Sequence, residues 1–367
     1  MFSKYWLCNH CFVRKKRIML STGQNSTVLA LLVMFSLPVG SVAGDDQGGL
    51  ISRGFVFERG VYPTNHSSTI VETTIGLLAA WFGGPRARDP QNSIYSARYD
   101  GTNWQEPRKV VDGWDGSARC QCWNPVLFQP SHGPLMLFYK AGASPEAWWG
   151  MLATSTNAGV TWSEPRRLPD GFVGPVRNKP VEMPDGSLLC GSSTENGGWR
   201  VRIERALKGR ADWEKTGPLN DPLVVEAIQP TILPHNRTTI QILCRTKQGF
   251  IAESWSKDAG ANWGRMALTK IPNPNSAIDG VRLADGRFLL VYNHSPSERN
   301  VLNLALSRDG REWETALVVE KGQGEFSYPA IIQTSDGRVH ITYSWNRQRI
   351  RHVVVDPARL ETRPMEP

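Results

Sequence analysis

Polar side chains recur beside prolines along this chain, at Asn124-Pro125, Asn178-Lys179-Pro180, Gln229-Pro230 and Asn273-Pro274-Asn275. Amides and ammonium groups supply directional hydrogen bonds. Their setting beside proline is unusual for simple turns, so it predicts recognition of a hydroxyl-rich ligand such as a sugar. Lys140, Glu195, Asp279 and Asn293 join this polar set, and Trp123 and Trp199 offer flat faces for stacking on a sugar ring. No cluster of His, Cys, Asp and Glu has the spacing of metal ligands. No glycine-rich phosphate loop is present either, so neither metal nor cofactor is expected.

The formal charge of +8 resembles that of a nucleic-acid binder, but much of it sits at one end. Lys4, Arg14, Lys15, Lys16 and Arg17 fall within the first 43 residues, which contain no acidic residue. The remainder has 37 basic against 34 acidic residues and no basic run interleaved with aromatics, which argues against a polyanion partner. The basic cluster precedes an apolar stretch, Val28 to Leu37, and then Ser41-Val-Ala43. Basic, apolar and small-residue regions in that order read as a secretory signal peptide over residues 1–43. The apolar run is about half the ~20 residues needed to span a bilayer. The expected mature protein is therefore residues 44–367, secreted or periplasmic, monomeric and free of the membrane. Cys8 and Cys11 leave with the leader, and the four remaining cysteines are too few for a disulfide scaffold. Cys120 and Cys122 are read either as a strained bridge or as buried thiols.

Two interleaved series of turns position the polar set. A turn followed by an apolar strand recurs at Gly76, Gly133, Gly186, Arg237, Gly286 and Gly337, in steps of 57, 53, 51, 49 and 51 residues. A second series ends at Trp104, Trp162, Trp213, Trp263 and Trp313, with nearly the same period. Each repeat holds four short strands, and Asp-Gly between strands suits a tight hairpin. Six repeats predict an all-β, six-bladed β-propeller, a single domain. Residues near Phe55 to Arg59 are expected to pair with Val353-Val-Val355 to close the ring.

Ser256-Lys-Asp-Ala-Gly-Ala-Asn-Trp263 matches the Asp box, Ser155 to Trp162 matches it with Asn157 in place of Asp, and Ser307 to Trp313 is a shortened form. With Pro63-Thr-Asn-His-Ser-Ser-Thr-Ile70, Trp123-Asn-Pro125, Gln229-Pro230 and Phe326-Ser-Tyr-Pro-Ala330, these motifs make residues 55–357 resemble the sialidase-like family with BNR repeats. The boxes themselves mark architecture: a short Asp accepts turn N–H groups and Trp packs between strands.

The resemblance implies a glycoside hydrolase that releases a terminal acidic sugar through a tyrosine nucleophile, one of the exceptions to two-carboxylate catalysis. Its implied parts are Tyr328 as nucleophile, Glu226 as the residue that activates it, and Asp89 as acid/base catalyst. Arg245 and Arg299 are the implied clamp on the substrate carboxylate, which suits the planar guanidinium. Gln229, Asn124, Lys179 and Asn275 are expected to bind the sugar. The sequence departs from the family in the first blade, where His66 stands ten residues before Gly76 in place of the first arginine. His66 is read either as a weaker clamp or as an acid/base group, and Arg59 is a candidate substitute. The alternatives are a hydrolase or lyase acting through His66 on a uronic-acid-containing polysaccharide, or a carbohydrate-binding propeller without catalysis.

Overall fold

A computed structural model describes residues 48–60, 62–208 and 212–366; the expected leader, 1–43, lies outside the described residues. Six four-stranded antiparallel sheets make up the propeller, and a two-stranded hairpin, Gly113–Trp114 with Arg119–Cys120, joins the first two in sequence. Blade 1 comprises Thr64–Thr73, Gly76–Gly84, Ser93–Tyr99 and Arg108–Val111. Blade 2 comprises Cys122–Phe128, Leu135–Ala141, Trp149–Ser155 and Arg166–Arg167, and blade 3 Val181–Glu182, Leu188–Thr194, Arg200–Ala206 and Trp213–Lys215. Blade 4 comprises Ala227–Pro234, Ile240–Thr246, Phe250–Ser256 and Ala267–Pro272, and blade 5 Asp279–Arg282, Phe288–Asn293, Val301–Ser307 and Glu314–Lys321. Blade 6 takes Phe326–Gln333, Val339–Trp345 and Arg349–Val355 from the end of the chain and Leu50–Phe55 from its beginning. The fold is the six-bladed propeller that the turn series predicts.

Ring closure falls slightly upstream of the expected segment. Ser52 pairs with Val354 and Arg53 with Val353, so the closing strand is Leu50–Phe55. The predicted partner, Val353 to Val355, is as observed. Cys120, Cys122, Cys190 and Cys244 are all free and buried.

The second strands are packed on both faces, so even their polar residues are largely buried. Ile240–Thr246, for example, is buried at every position. Leu289 and Val291 of blade 5 pack against Ile331, Ile341 and Tyr343 of blade 6 in one cluster. Full burial of such a side chain contributes about 1.5–3 kcal/mol, and similar seams join the other blades. The Asp boxes lie in the turns between third and fourth strands. In the complete one, Ser256 Oγ accepts from Gly260 N at 2.9 Å and Asp258 Oδ1 from Asn262 N at 2.8 Å. Trp263 Nε1 closes the motif on Gly260 O at 3.0 Å.

One irregularity repeats around the ring. The innermost strand shifts register between His66 and Thr69, Trp123 and Val126, Ile228 and Thr231, and Ser327 and Ala330. At or beside these bulges Ser67 (φ 59°), Asn124 (39°), Gln229 (56°) and Tyr328 (55°) adopt left-handed backbone. Arg177 (78°) and Asn275 (55°) do the same in blades 3 and 5, giving one such residue per blade. A bulge re-aims a side chain, and a non-glycine residue at positive φ is held there only when its surroundings determine it.

Candidate active site

The four bulges and the left-handed residues Arg177 and Asn275 of the other two blades lie toward one end of the propeller, where the turns from second to third strands also rise. Together they line a cavity of about 320 Å³. The bulges contribute His66, Asn124, Gln229 and Tyr328, and the turns and adjoining strand ends contribute Arg88, Trp148, Glu195, Trp199, Arg245, Arg299 and Arg347. The Asp boxes, at the other end of each third strand, take no part in it.

Arg245, at the end of the second strand of blade 4, organises one side. Its Nη1 donates to Tyr328 Oη at 2.9 Å and to Gln229 Oε1 at 3.2 Å, and its Nε donates to Asn275 Oδ1 at 2.7 Å. Three successive members of the bulge ring thus hold one buried guanidinium. Arg299 donates to the Asn275 carbonyl at 2.6 Å and to Glu325 Oε1 at 3.0 Å. The other oxygen of Glu325 accepts from Arg347 Nε at 2.8 Å. Burial alone would raise the Glu325 carboxyl, but Arg347 and Ser327 bind its ionised form and hold it at about 2. One carboxylate therefore fixes two arginines at the cavity wall.

Tyr328 sits among cations. The guanidinium carbons of Arg177, Arg245 and Arg299 lie 5.6, 5.6 and 5.7 Å from its ring centroid. Burial opposes ionisation of the phenol, yet Arg245 and Arg299 outweigh it and bring the pKa below the ordinary tyrosine value. Arg177 is buried beneath, donating from Nη1 to Ser68 O at 2.9 Å and from Nη2 to Pro329 O. The His66 ring packs on that of Tyr328, centroid to centroid 4.2 Å. Burial and then Arg347 drive the His66 pKa well below its usual value, so the imidazole is neutral, with Nδ1 buried and unpartnered. As a clamp for a carboxylate it carries no charge; as a proton acceptor or donor it is in contact with Tyr328.

Tyr328, His66, Arg245, Arg299, Gln229 and Asn124 come together at the cavity, and Asn275 supports two of its arginines. Three expected site residues lie elsewhere. Glu226 accepts from Lys247 Nζ at 2.9 Å and does not reach Tyr328, because the bulge at Ile228 brings Gln229, three residues later, to the cavity. Asp89 is outside the lining: its carboxylate accepts from Gln91 N at 2.8 Å and Arg86 Nε at 3.0 Å, closing its own loop. Lys179 points into the hub, donating to both oxygens of Asp279 at 3.0 and 2.9 Å. Asp279 accepts in turn from Thr231 Oγ1 and Ile331 N, joining four blades below the cavity.

Sequence reasoning missed Arg347, Glu325 and Arg177. The signal available for the first was a turn, Trp345-Asn-Arg-Gln348, at the blade position equivalent to the one before Arg299. Arg347 stands beside His66, its carbonyl accepting from Asn65 N at 2.7 Å. It supplies a further guanidinium beside His66, the position where an arginine of the family pattern is replaced. Among the described residues no group of three or more His, Cys, Asp or Glu converges as metal ligands would.

A family model described as a BNR repeat-like domain matches residues 76–341. No curated protein matches the chain in sequence. Among solved structures, a protein of unknown function from Dyadobacter fermentans superposes with a TM-score of 0.71 at 15% identity, over 84% of this chain and 99% of the other. The NanB sialidase of Streptococcus pneumoniae gives 0.69 at 12% identity, over 84% of this chain and 71% of the sialidase. Trypanosoma rangeli sialidase, in complex with the inhibitor DANA, gives 0.67 at 13% identity over 84% of this chain, which spans 60% of that enzyme. At these identities the likeness establishes the propeller fold.

Proposed function

The chain belongs to the BNR repeat-like family, and from that premise we propose that it is an exo-acting glycoside hydrolase of sialidase type, removing a terminal acidic sugar from glycoconjugates. The observation that carries this reading is Tyr328 at the cavity, bonded to Arg245 and flanked by Arg299. A guanidinium group binds a carboxylate bidentately, so Arg245, Arg299 and Arg347 serve to seat the substrate's acid group. Tyrosine is a suitable nucleophile for an anomeric carbon bearing a carboxylate, because its neutral form avoids charge repulsion. Its proton is lost more readily because of Arg245 and Arg299, in the absence of a carboxylate bonded to its hydroxyl. Asn124 and Gln229 are placed to bind sugar hydroxyls, and Trp123 and Trp148 to stack on the ring. The leader, by this reading, carries the enzyme out of the cytoplasm.

A second reading rests on the contact of His66 with Tyr328. A neutral imidazole and a phenol, with arginines neutralising a uronate carboxylate, are the parts needed to remove the proton α to that carboxylate and eliminate the 4-linked residue. One experiment separates the two. The mature protein is incubated with a sialoside and with a panel of uronate-containing oligosaccharides. Release of free acidic sugar supports hydrolysis, whereas an ultraviolet-absorbing unsaturated product supports elimination. Turnover unaltered by Tyr328→Phe would remove Tyr328 from either mechanism, and binding without any product leaves a carbohydrate-binding propeller.

A further inference from the structure

Breaking a glycosidic bond requires a proton for the departing oxygen, and the cavity contains one carboxyl group among its described lining residues, Glu195. We propose that Glu195 is the general acid of this site, a role that rests on the glycosidase reading above.

Placement is the first argument. Glu195 opens the turn that follows Leu188–Thr194 in blade 3, and Tyr328 lies on the inner strand of blade 6. In a ring of six, these blades stand opposite one another. The cavity is polarised along the same axis. Arg245, Arg299 and Arg347 come from blades 4, 5 and 6 and Arg88 from blade 1, whereas Trp123, Trp148, Glu195 and Trp199 come from blades 2 and 3, the two sides meeting where the Arg245 guanidinium lies 5.1 Å from the Trp199 ring centroid. A sugar whose carboxylate lies against the arginines, with its anomeric carbon at Tyr328, directs its leaving group towards the aromatic wall that holds Glu195.

Elimination of other candidates is the second. Glu325 is bonded to two arginines and Ser327, and is fully ionised at neutral pH, so it has no proton to give. Glu226 is paired with Lys247, and the Asp89 carboxylate is turned into its own loop. Burial, only partly offset by Arg245, moves the Glu195 carboxyl above the ordinary carboxylate value, and Glu146 acts in the same direction. Raising a carboxyl towards the working pH is how an enzyme keeps a catalytic acid protonated.

Tyr328 oxygen forms a bond to the anomeric carbon, its phenolic proton passing to water, while the bond from that carbon to the glycosidic oxygen breaks. Its electron pair stays on the leaving oxygen, which takes the Glu195 proton and departs as an alcohol. The Glu195 carboxylate then takes a proton from the water that attacks the anomeric carbon, and Tyr328 departs with the bonding electron pair and regains its proton from water, which restores both groups and frees the sugar.

The test compares leaving groups. Wild type, Glu195→Gln and Glu195→Asp are assayed on a disaccharide and on the corresponding glycosyl fluoride, for N-acetylneuraminic acid and for glucuronic acid. Fluoride departs without a proton, whereas a sugar alcohol needs one. Glu195→Gln should lower kcat/KM on the disaccharide by about 10²–10⁴-fold and on the fluoride far less, with Glu195→Asp recovering part of the loss. Equal losses on both substrates, or none on the disaccharide, overturn the assignment. Thermal melting checks that each variant is folded. Tyr328→Phe acts as the separate control, since it should abolish both reactions. A wild type that cleaves neither pair sinks the glycosidase reading itself, and Glu195 with it.

Discussion

Replacing Glu325 by glutamine tests the claim that one carboxylate holds two arginines in place. The carboxyl falls from about 4.5 in the unfolded chain to about 2 in the folded protein. A shift of ~2.5 units is worth about 3 kcal/mol at 1.36 kcal/mol per unit. Its side chain is 29% exposed and that of Arg347 43%, so solvent reduces this to about 1–3 kcal/mol. Because the folded pKa is the lower one, the stabilisation is complete above pH ~4.5 and is lost as pH falls from there towards 2. Denaturant unfolding of wild type and Glu325→Gln at pH 7, 5, 4 and 3 reads it directly. The gap between the two proteins should be constant at pH 7 and 5 and narrow at 4 and 3. Affinity for an acidic monosaccharide should fall at pH 7, because Arg299 and Arg347 lose their shared anchor. A gap that is absent at pH 7, or that stays constant down to pH 3, would refute the bridging role.

Other predictions concern different links of the chain. Tyr328→Phe should remove turnover while leaving the melting temperature close to wild type, measured by product release and calorimetry on the same sample. Ser256→Ala leaves the buried Gly260 N–H without its acceptor and should cost about 1–3 kcal/mol of stability. Its kcat/KM should be unchanged, because the Asp box lies at the end of the blade away from the cavity. Expression in an export-competent host should yield a protein whose Edman sequence begins at Gly44; an intact Met1 start would refute the leader.

Six blades were legible because hairpin chemistry is local: Asp-Gly between apolar runs states where a strand ends, whatever its partner. The bulge ring was half legible. Asn124-Pro, Gln229-Pro and Pro-Asn275 marked three members as polar residues beside proline, and Tyr328 was named through the family resemblance, but their left-handed backbone is set by the neighbouring blades. Register is what failed for Glu226. Counting residues upstream of Arg245 cannot show that a bulge brings Gln229 to the cavity and leaves Glu226 on Lys247. Asp89 was likewise nameable as a loop acid, yet its side chain is consumed by turn N–H and guanidinium donors that any short loop offers. Arg347 and Glu325 escaped because one lies just past and the other just before paired strands: only the pairing of Phe326–Gln333 with Val339–Trp345 brings them together.

The six left-handed residues also bear on how such a site changes over time. Each is a socket whose shape is set by main chain, with Ser, Asn, Arg, Gln, Asn and Tyr as the present occupants. Where such a position faces the cavity, as Asn124, Gln229 and Tyr328 do, replacement by another residue that tolerates positive φ changes the lining while the neighbouring blades keep their aim. Selectivity can then drift a blade at a time, by replacements that leave the apolar seams between blades untouched.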